Sequence, residues 1–275
     1  MSGWKKIDVG GLPIYQAKTL SWLPGVVQGF TTRHGGVSDV PYNSLNLGAH
    51  VADQDKNVAE NRRRLLAELN TAPDEVALAE QVHGNRVAVV SRGGEGPVSG
   101  ADALITNVPN VLLMMWFADC VPVYIVDPVN RVAALVHSGW RGAEGNVVGA
   151  TINAMVNEFG SNPKSCLAAL GPCISAESFE VGWDVASRFR DFPGGTDAGA
   201  ATIVLPLNEL AGKYSVNLRQ VVFSQLLETG LRGDYISVCA QDTFRNRRDF
   251  FSHRRNGPRT GRMAAYLGFT RKPNQ

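Results

Sequence analysis

The chain has 275 residues, 44% of them hydrophobic, and its 27 basic and 25 acidic residues give a net charge of +2. That much apolar sequence can bury a sizeable core, and the near-neutral charge argues against nucleic acid or an anionic membrane as the main partner. The N-terminus has no apolar run of signal-peptide length, and no stretch approaches the ~18 apolar residues of a membrane span. The four cysteines form no CxxC pair, so we expect a cytoplasmic protein with reduced thiols.

The first elements predicted from hydrophobic spacing are one helix and a group of strands. Residues 57–69 place Val58, Leu65 and Leu69 on one helical face. Short runs dense in valine, isoleucine and aromatic residues are predicted strands: 85–90, 111–117, 121–126 and 131–136. The middle of the chain is therefore rich in buried strands.

Helical spacing returns in the second half of the chain, at 146–160 and 217–230. Between them, the Gly-, Ala- and Asp-rich stretch 191–202 predicts a surface loop inside a domain. Strands and helices do not alternate strictly, so nothing requires a doubly wound parallel sheet. The pattern predicts a single α+β domain over residues 1–275, with mixed β-sheets flanked by helices.

Three residues with metal-binding side chains fall at ends of predicted strands: His83, Cys120 and His137. Two imidazoles and a thiolate suit zinc with an open fourth position, although their spacing matches no compact metal motif. The alternative is a buried cysteine with two hydrogen-bonded histidines. Asp119, next to the cysteine and between two apolar strands, is expected to orient a ligand or share a proton.

Several segments, in chain order, carry a resemblance to a known family: "FTTRHGGVSDVPYNSLNLG", "ENRRRL", "QVHGN", "ADALITN", "ADCVPVYIVDP", "HSGWRG", "LGPCISAESFEVG" and "FFSHRRNG". Together they resemble the YfiH-like family, also called the laccase-domain or multicopper polyphenol oxidase family. The resemblance covers about residues 28–270. It implies an α+β domain in which His83, Cys120 and His137 hold zinc, or sometimes copper.

The resemblance implies activities of different kinds. One is phosphorolysis of adenosine, inosine, guanosine and methylthioadenosine, with purine nucleosides and phosphate as partners, and another is deamination of adenosine. Some bacterial members are described as editing peptidoglycan precursors that wrongly carry serine. For that chemistry, Cys120 and His137 would form a thiolate–imidazole pair that works without a metal. A silent binding module is a further alternative, in which replacing Cys120 changes nothing.

Physical arguments separate these activities in part. Polyphenol oxidation needs a blue copper site and further coppers, yet the remaining histidines form no His-x-His pair: His34, His50 and His253. Deamination suits a three-ligand zinc, which lowers the pKa of a water molecule to ~7. Asp119 is then the candidate proton shuttle.

Phosphorolysis requires groups that hold phosphate, and arginine suits this because its guanidinium donates from a planar fork. The predicted contacts to substrate and phosphate are Arg33, Asn46, Arg141 and Arg255, with Arg254 as a further candidate. The resemblance favours Arg255 among them. For each arginine the alternative is an ordinary solvated side chain.

The segment "HSGWRG" predicts a tight approach to a bound group. Gly139 and Gly142 let the backbone come close, and a helix starting near Ala143 would point its free amides at an anion. Arg141 either adds charge there or pairs with Glu144. Trp140 either walls the pocket or packs in the core. At the position of His253 the family more often carries tyrosine, so the substrate preference of this chain can differ from that of its relatives.

For the oligomeric state, we expect a monomer or a homodimer.

Overall fold

The computed structural model describes residues 3–190, 192 and 203–270. The strands within these residues are β1 (Trp4–Val9), β2 (Leu12–Ala17), β3 (Val26–Thr31), β4 (Val76–Ala79), β5 (Val87–Val89), β6 (Pro97–Val98), β7 (Ala103–Thr106), β8 (Leu112–Phe117), β9 (Val121–Asp127), β10 (Val132–Ser138), β11 (Leu167–Leu170), β12 (Glu180–Gly182), β13 (Val204–Asn208), β14 (Lys213–Val216), β15 (Ile236–Val238) and β16 (Met263–Phe269). The helices are α1 (Lys18–Ser21), α2 (Asp55–Glu68), α3 (Trp140–Glu144), α4 (Val147–Phe159), α5 (Trp183–Ala186), α6 (Leu218–Glu228) and α7 (His253–Asn256). None of these helices is long and apolar enough to cross a membrane.

Most of the strands belong to two mixed sheets that pack against each other. The first sheet has the order β1-β2-β3-β16-β8-β4-β6, and the second has the order β15-β11-β9-β10-β7-β5. The pairs β4–β6, β4–β8, β5–β7 and β11–β15 are parallel, and the other pairs in these sheets are antiparallel. A third, smaller sheet has the order β12-β14-β13.

Strand β10 is buried on both faces, which explains its unbroken apolar sequence. Val132, Ala134 and Val136 pack into the core that includes α4 and α6. Ala133 and Leu135 point the other way, into the core between the two sheets. Burying a valine or leucine side chain fully contributes ~1.5–3 kcal/mol. This double burial fixes β10 and therefore the position of His137 near its end.

Helix α2 covers the outer face of the first sheet. Its Leu65 packs in a cluster with Leu45, Leu47, Ile14 and Tyr266. Asn61 is buried in the same helix. Its side chain donates to the Asn46 carbonyl at 2.8 Å and accepts from the Val37 amide at 2.8 Å. The helix therefore holds the segment that follows β3 in a fixed place.

The prediction of mixed sheets flanked by helices is confirmed, and the three predicted helices correspond to α2, α4 and α6. The strand predicted at 85–90 is shorter, as β5. The helix start predicted near Ala143 was wrong, because α3 already begins at Trp140. A separate helix, α4, follows because Asn146 has a φ of 49° and its side chain caps the Gly149 amide. Apart from residue 192, the predicted loop at 191–202 lies outside the described residues.

Candidate metal centre and active-site cavity

The structure brings His83, Cys120 and His137 together. His83 lies between β4 and β5, Cys120 immediately precedes β9, and His137 is the second-last residue of β10. One ligand atom from each lies within 4.8 Å of the other two. The two imidazole rings are 4.9 Å apart and nearly perpendicular, at 80°. Among the described residues, this is the one group of three or more potential metal ligands.

Glycine at position 139 lets the three side chains converge. A Cβ atom there would lie 3.1 Å from Cys120 Sγ and 3.1 Å from His83 Cδ2. Gly142 has a similar role, since a Cβ would lie 3.1 Å from the Gly84 carbonyl. The predicted close approach is therefore real, but it is made to protein atoms of the site. Any larger residue at 139 would push the ligands apart.

Asp102 is the residue of this site that the sequence analysis missed. Its fully buried carboxylate accepts from His137 Nδ1 at 2.8 Å, which leaves Nε2 to face the group. The same carboxylate accepts from the Val82, His83 and Gly84 amides at 3.2, 3.0 and 2.7 Å. These bonds hold His83 at a φ of 61°, which non-glycine residues rarely adopt. The sequence feature that could have revealed Asp102 is the single aspartate in the otherwise mostly apolar segment "ADALITN".

The charges of Cys120 and His137 stabilise each other. Burial by itself would raise the pKa of the Cys120 thiol, but the charge and hydrogen bond of His137, together with the contact to His83, outweigh it and lower that pKa to about 6. Burial would lower the pKa of His137, yet the thiolate of Cys120 and the hydrogen bond to Asp102 raise it to about 9. Without metal, the pair is therefore a thiolate and an imidazolium at neutral pH.

The donor set fits zinc, and also copper. Two imidazole nitrogens and one thiolate form a catalytic-type ligand set with an open position. The hydrogen bond between His137 and Asp102 adds the usual carboxylate partner of a metal-bound histidine. The Cys120 thiolate is already favoured, whereas His137 would have to lose a proton before it could bind a metal. The group can therefore bind a metal, whose identity the geometry does not specify.

We predict that Cys120 of the metal-free protein reacts rapidly with iodoacetamide at pH 7, because its lowered pKa leaves it mostly as thiolate. The rate of Cys120 alkylation should fall as the pH drops through about 6, and added zinc should prevent the alkylation. Mass spectrometry of labelled peptides measures both effects. Cys239 is the internal control, since burial raises its pKa to about 12. A Cys120 rate that rises only above pH 8 would contradict the prediction.

The ligand group lies in a cavity of about 660 Å³. This volume is in the range of small-molecule sites. Apolar and aromatic side chains form part of its wall, among them Trp116, Trp140, Ile174, Phe179 and Leu218. Its basic lining consists of His50, Arg62, Arg141, His253, Arg254 and Arg262, whereas its acidic lining consists of Glu80 and Asp119. The cavity therefore combines apolar faces with an excess of positive charge.

Asp119 lines the cavity, but its carboxylate is heavily hydrogen-bonded. It accepts from Thr243 Oγ1 at 2.7 Å, from Ser252 Oγ at 3.0 Å and from the Arg254 amide at 2.7 Å. Its φ of 90° is unusual for a residue with a side chain. These contacts join the β8–β9 turn to the start of α7. The geometry shows Asp119 holding this turn, and it shows no hydrogen bond from Asp119 to the ligand histidines.

The further candidate Arg254 lines the cavity, and of the four predicted contacts to substrate and phosphate so does Arg141. It stacks on Trp140, with 4.2 Å from the guanidinium carbon to the ring centre. The expected partner Glu144 instead forms an ion pair with Arg188, at 2.7 Å. Trp140 lines the cavity and also packs against the core, so both predicted roles apply to it.

The structure does not bring Arg33 and Arg255 to the cavity lining. Arg33 donates to the Asn43 carbonyl at 2.8 Å and to its side-chain oxygen at 3.0 Å. Arg255 donates to the carbonyls of Thr243, Phe244 and Phe250, at 2.9, 2.6 and 2.7 Å. Both guanidinium groups therefore hold loops together.

Asn46 is also placed within the protein, with no exposed surface. Its Oδ1 accepts from the amides of Gly48 and Arg262, at 3.1 and 2.9 Å. Arg62 and Arg262 do line the cavity, although the sequence analysis did not select them. Arg62 belongs to the quoted segment "ENRRRL", so the signal was present but was interpreted as part of a helix.

Comparisons with known proteins identify the family of the chain and support its fold. The family model described as "Multi-copper polyphenol oxidoreductase laccase" matches residues 27–270. A protein of Deinococcus radiodurans named "Purine nucleoside phosphorylase" is 40% identical over 266 residues, which are 96% of each chain. The Bacillus subtilis protein "Purine nucleoside phosphorylase YlmD" is 34% identical over 252 residues, which are 88% of each chain.

Solved structures extend the agreement to the whole fold. The crystal structure of YlmD from Geobacillus stearothermophilus has a TM-score of 0.89 and 32% identity, and the match covers 98% of this chain and 100% of that chain. The hypothetical protein YfiH of Bacillus licheniformis has the same TM-score and coverage at 30% identity. This chain therefore belongs to the multi-copper polyphenol oxidoreductase laccase family, the family of the YfiH and YlmD proteins.

Proposed function

We propose that this chain is a zinc-dependent enzyme that cleaves purine nucleosides with phosphate. The expected substrates are adenosine, inosine, guanosine and methylthioadenosine. One observation carries the proposal: a single cavity contains the His83–Cys120–His137 group, aromatic walls and an excess of cationic side chains. Relatives named purine nucleoside phosphorylase support it.

For phosphorolysis, the cavity must hold the nucleoside and the phosphate so that the phosphate faces C1′ of the ribose opposite the purine. A phosphate oxygen forms a bond to C1′ of the ribose while the C1′–N9 bond breaks. The bonding electron pair passes to the purine, which takes up a proton, and the products are the free base and ribose-1-phosphate. Cationic side chains position the phosphate, and Trp140 and Phe179 offer aromatic faces for the base. Positioning and charge stabilisation together lower the barrier.

His83, Cys120 and His137 would hold the zinc ion, which supplies Lewis acidity when bound. Asp102 fixes the orientation of His137 through its Nδ1. Asp119 keeps the turn before Cys120 attached to α7. The protein thus contributes an ordered ligand group and a shaped, partly apolar cavity beside it.

The test is a product analysis of purified, zinc-loaded protein incubated with adenosine, with and without phosphate. We expect adenine and ribose-1-phosphate only when phosphate is present. His83→Ala should abolish the reaction, whereas His34→Ala, a histidine outside the cavity lining, should leave it intact. Untouched adenosine from folded, zinc-loaded protein would overturn the proposed function.

Adenosine deamination is a second candidate, because a three-ligand metal group with an open position also suits it. Water replaces the C6 amino group and ammonia leaves, so the reaction needs a proton donor at that nitrogen. Asp119 remains our candidate shuttle because it lines the cavity. We predict inosine formation that is independent of phosphate and is lowered ~10²–10⁴-fold in Asp119→Asn. Equal inosine formation by both proteins would rule out that role for Asp119.

A metal-free hydrolase uses the same residues differently. The Cys120 thiolate would attack an amide or ester, as editing of a serine-containing peptidoglycan precursor requires. Zinc that stays bound in a 1:1 ratio through dialysis would count against this alternative. Polyphenol oxidation is not proposed, because the remaining histidines belong to no metal-ligand group among the described residues: His34, His50 and His253.

A further inference from the structure

Two arginines and a histidine lie in the cavity beside the ligand group: Arg62, Arg262 and His50, here called the cation cluster after its two arginines. The two arginines are 200 positions apart in sequence and meet at one residue, Leu47. Arg62 Nε donates to the Leu47 carbonyl at 2.9 Å. The Leu47 amide donates to the Arg262 carbonyl at 3.1 Å. The cluster is therefore built by specific tertiary contacts.

Glycine at position 48 brings the third member close. A Cβ at Gly48 would lie 2.7 Å from Arg262 Cγ and 3.2 Å from His50 Cε1. The side chains of Arg262 and His50 therefore both pack against the backbone at Gly48. Asn46 keeps this stretch in place, because its Oδ1 accepts from the amides of Gly48 and Arg262.

Protein contacts hold the guanidinium groups of both arginines, but each group keeps N–H donors that no acceptor of the described residues binds. Arg62 lies over the ring of Trp116, with 4.5 Å from the guanidinium carbon to the ring centre. Arg262 donates through Nη1 to the carbonyls of Thr260 and Gly261, at 2.8 and 3.1 Å. Within the described part of the chain, the Nη atoms of Arg62 and the Nε and Nη2 atoms of Arg262 make no hydrogen bond. These N–H groups are free for a ligand.

The charges of the cluster are not neutralised by the protein. None of its three members forms an ion pair with a described carboxylate. Burial lowers the pKa of both arginines. Burial, and then the charges of Arg262 and Arg62, lower the pKa of His50. Neighbouring like charges in a partly desolvated cavity repel each other, so an anion bound there would stabilise the cluster.

We propose that the cation cluster is a binding site for a tetrahedral oxyanion of the phosphate class. Two forked guanidinium groups suit such an anion, since each can donate two parallel hydrogen bonds. Arg62 and Arg262 line the same cavity as Cys120, which places the site beside the ligand group. The identification of this anion as the phosphate co-substrate rests on the proposed phosphorolysis. The binding of an anion at the cation cluster does not depend on that proposal.

The test is isothermal titration calorimetry of inorganic phosphate into zinc-loaded protein at low ionic strength. Arg62→Gln and Arg262→Gln should each raise the phosphate Kd at least ~10-fold, because each removes a charge-assisted donor. Arg63→Gln is the matched control on the same helix. Arg63 is exposed and pairs with Glu60, so its replacement should leave the Kd unchanged. Zinc content and melting temperature are measured for every variant.

A wild-type protein that does not bind phosphate would overturn the proposal. So would arginine variants that keep the wild-type Kd, or a Kd raised equally by Arg63→Gln. If an arginine variant fails to fold, the lysine variant Arg62→Lys or Arg262→Lys replaces it, because lysine keeps the charge but loses the forked donor and should still raise the Kd several-fold.

Activity assays separate this proposal from the proposed function. If phosphate binds through the cluster but adenosine yields no ribose-1-phosphate, the anion site stands and the phosphorolysis is wrong. If ribose-1-phosphate forms and the arginine variants keep the wild-type KM for phosphate, phosphorolysis stands and this subsite is wrong. If both are right, the variants raise the KM for phosphate far more than the KM for adenosine.

Discussion

Cys120→Ala is expected to lose both bound zinc and nucleoside cleavage. The substitution removes the one thiolate of the ligand group, leaving two imidazoles that cannot complete the set. The zinc affinity should fall by more than the ~10–100-fold that loss of an outer hydrogen-bond partner costs. Metal analysis after dialysis and chelator competition measure the affinity, and product analysis with adenosine and phosphate measures the activity.

The Cys120→Ala protein should remain folded, because Cys120 is only half-buried and sits at the edge of the core. Cys239→Ala is the matched control: it also removes a thiol, but a fully buried one that belongs to no metal-ligand group. That control should retain zinc and activity. A Cys120→Ala protein that keeps wild-type activity would show that the ligand group is not the active centre.

Asp102→Asn is expected to weaken zinc binding by ~10–100-fold, although Asp102 is not itself a ligand. An asparagine amide can donate to His137 Nδ1, which would stabilise the tautomer with a proton on Nε2. That nitrogen could then no longer bind a metal. The new NH₂ group would otherwise face the amides of Val82 and Gly84, which are also donors. Chelator competition measures the affinity, and ¹⁵N NMR of the imidazoles reports the tautomer.

The same substitution should lower the free energy of unfolding by ~1–3 kcal/mol, because buried donors lose their acceptor. A matched control separates this loss from the effect on metal binding. Asp127 is also fully buried and accepts from the amides of Val129 and Asn130, but it lies at the opposite end of β9 from Cys120. Asp127→Asn should lose stability while keeping the wild-type zinc affinity. Equal zinc affinities in the two variants would mean that Asp102 has only a structural role.

The elements that could be predicted are those with strong local signals. Helix α2 follows from the helical spacing of its apolar residues. Strands β8, β9 and β10 follow from short runs dense in β-branched, apolar and aromatic residues, and they are buried almost throughout. The break between α3 and α4 was missed, because it depends on a single left-handed residue, Asn146. A periodicity argument averages over several residues and does not detect one such angle.

The site could be predicted in part, and the limit has a physical cause. His83, Cys120 and His137 were selected because rare, metal-binding side chains stood at strand ends and matched a family pattern. Asp102 was missed because a buried carboxylate is recognised only through its partners, and these come from two other segments. Asp119 was predicted to orient a ligand or to share a proton. Its hydrogen bonds go to Thr243 and to the start of α7, and its role as a proton shuttle stays a prediction.

The sequence by itself determined the class of fold, the main buried strands and the three side chains that can hold a metal. The fold class and the strands depend on local periodicity and residue type, which a linear sequence displays directly. The three side chains followed from residue type together with the resemblance to a known family. Only the tertiary structure decided which cations face the cavity. The guanidinium groups of Arg33 and Arg255 donate to backbone carbonyls of nearby loops. Arg62, through its side chain, and Arg262, through its backbone carbonyl, both contact Leu47, and both arginines line the cavity. An arginine's role depends on which acceptors surround its guanidinium, and distant parts of the chain supply those acceptors.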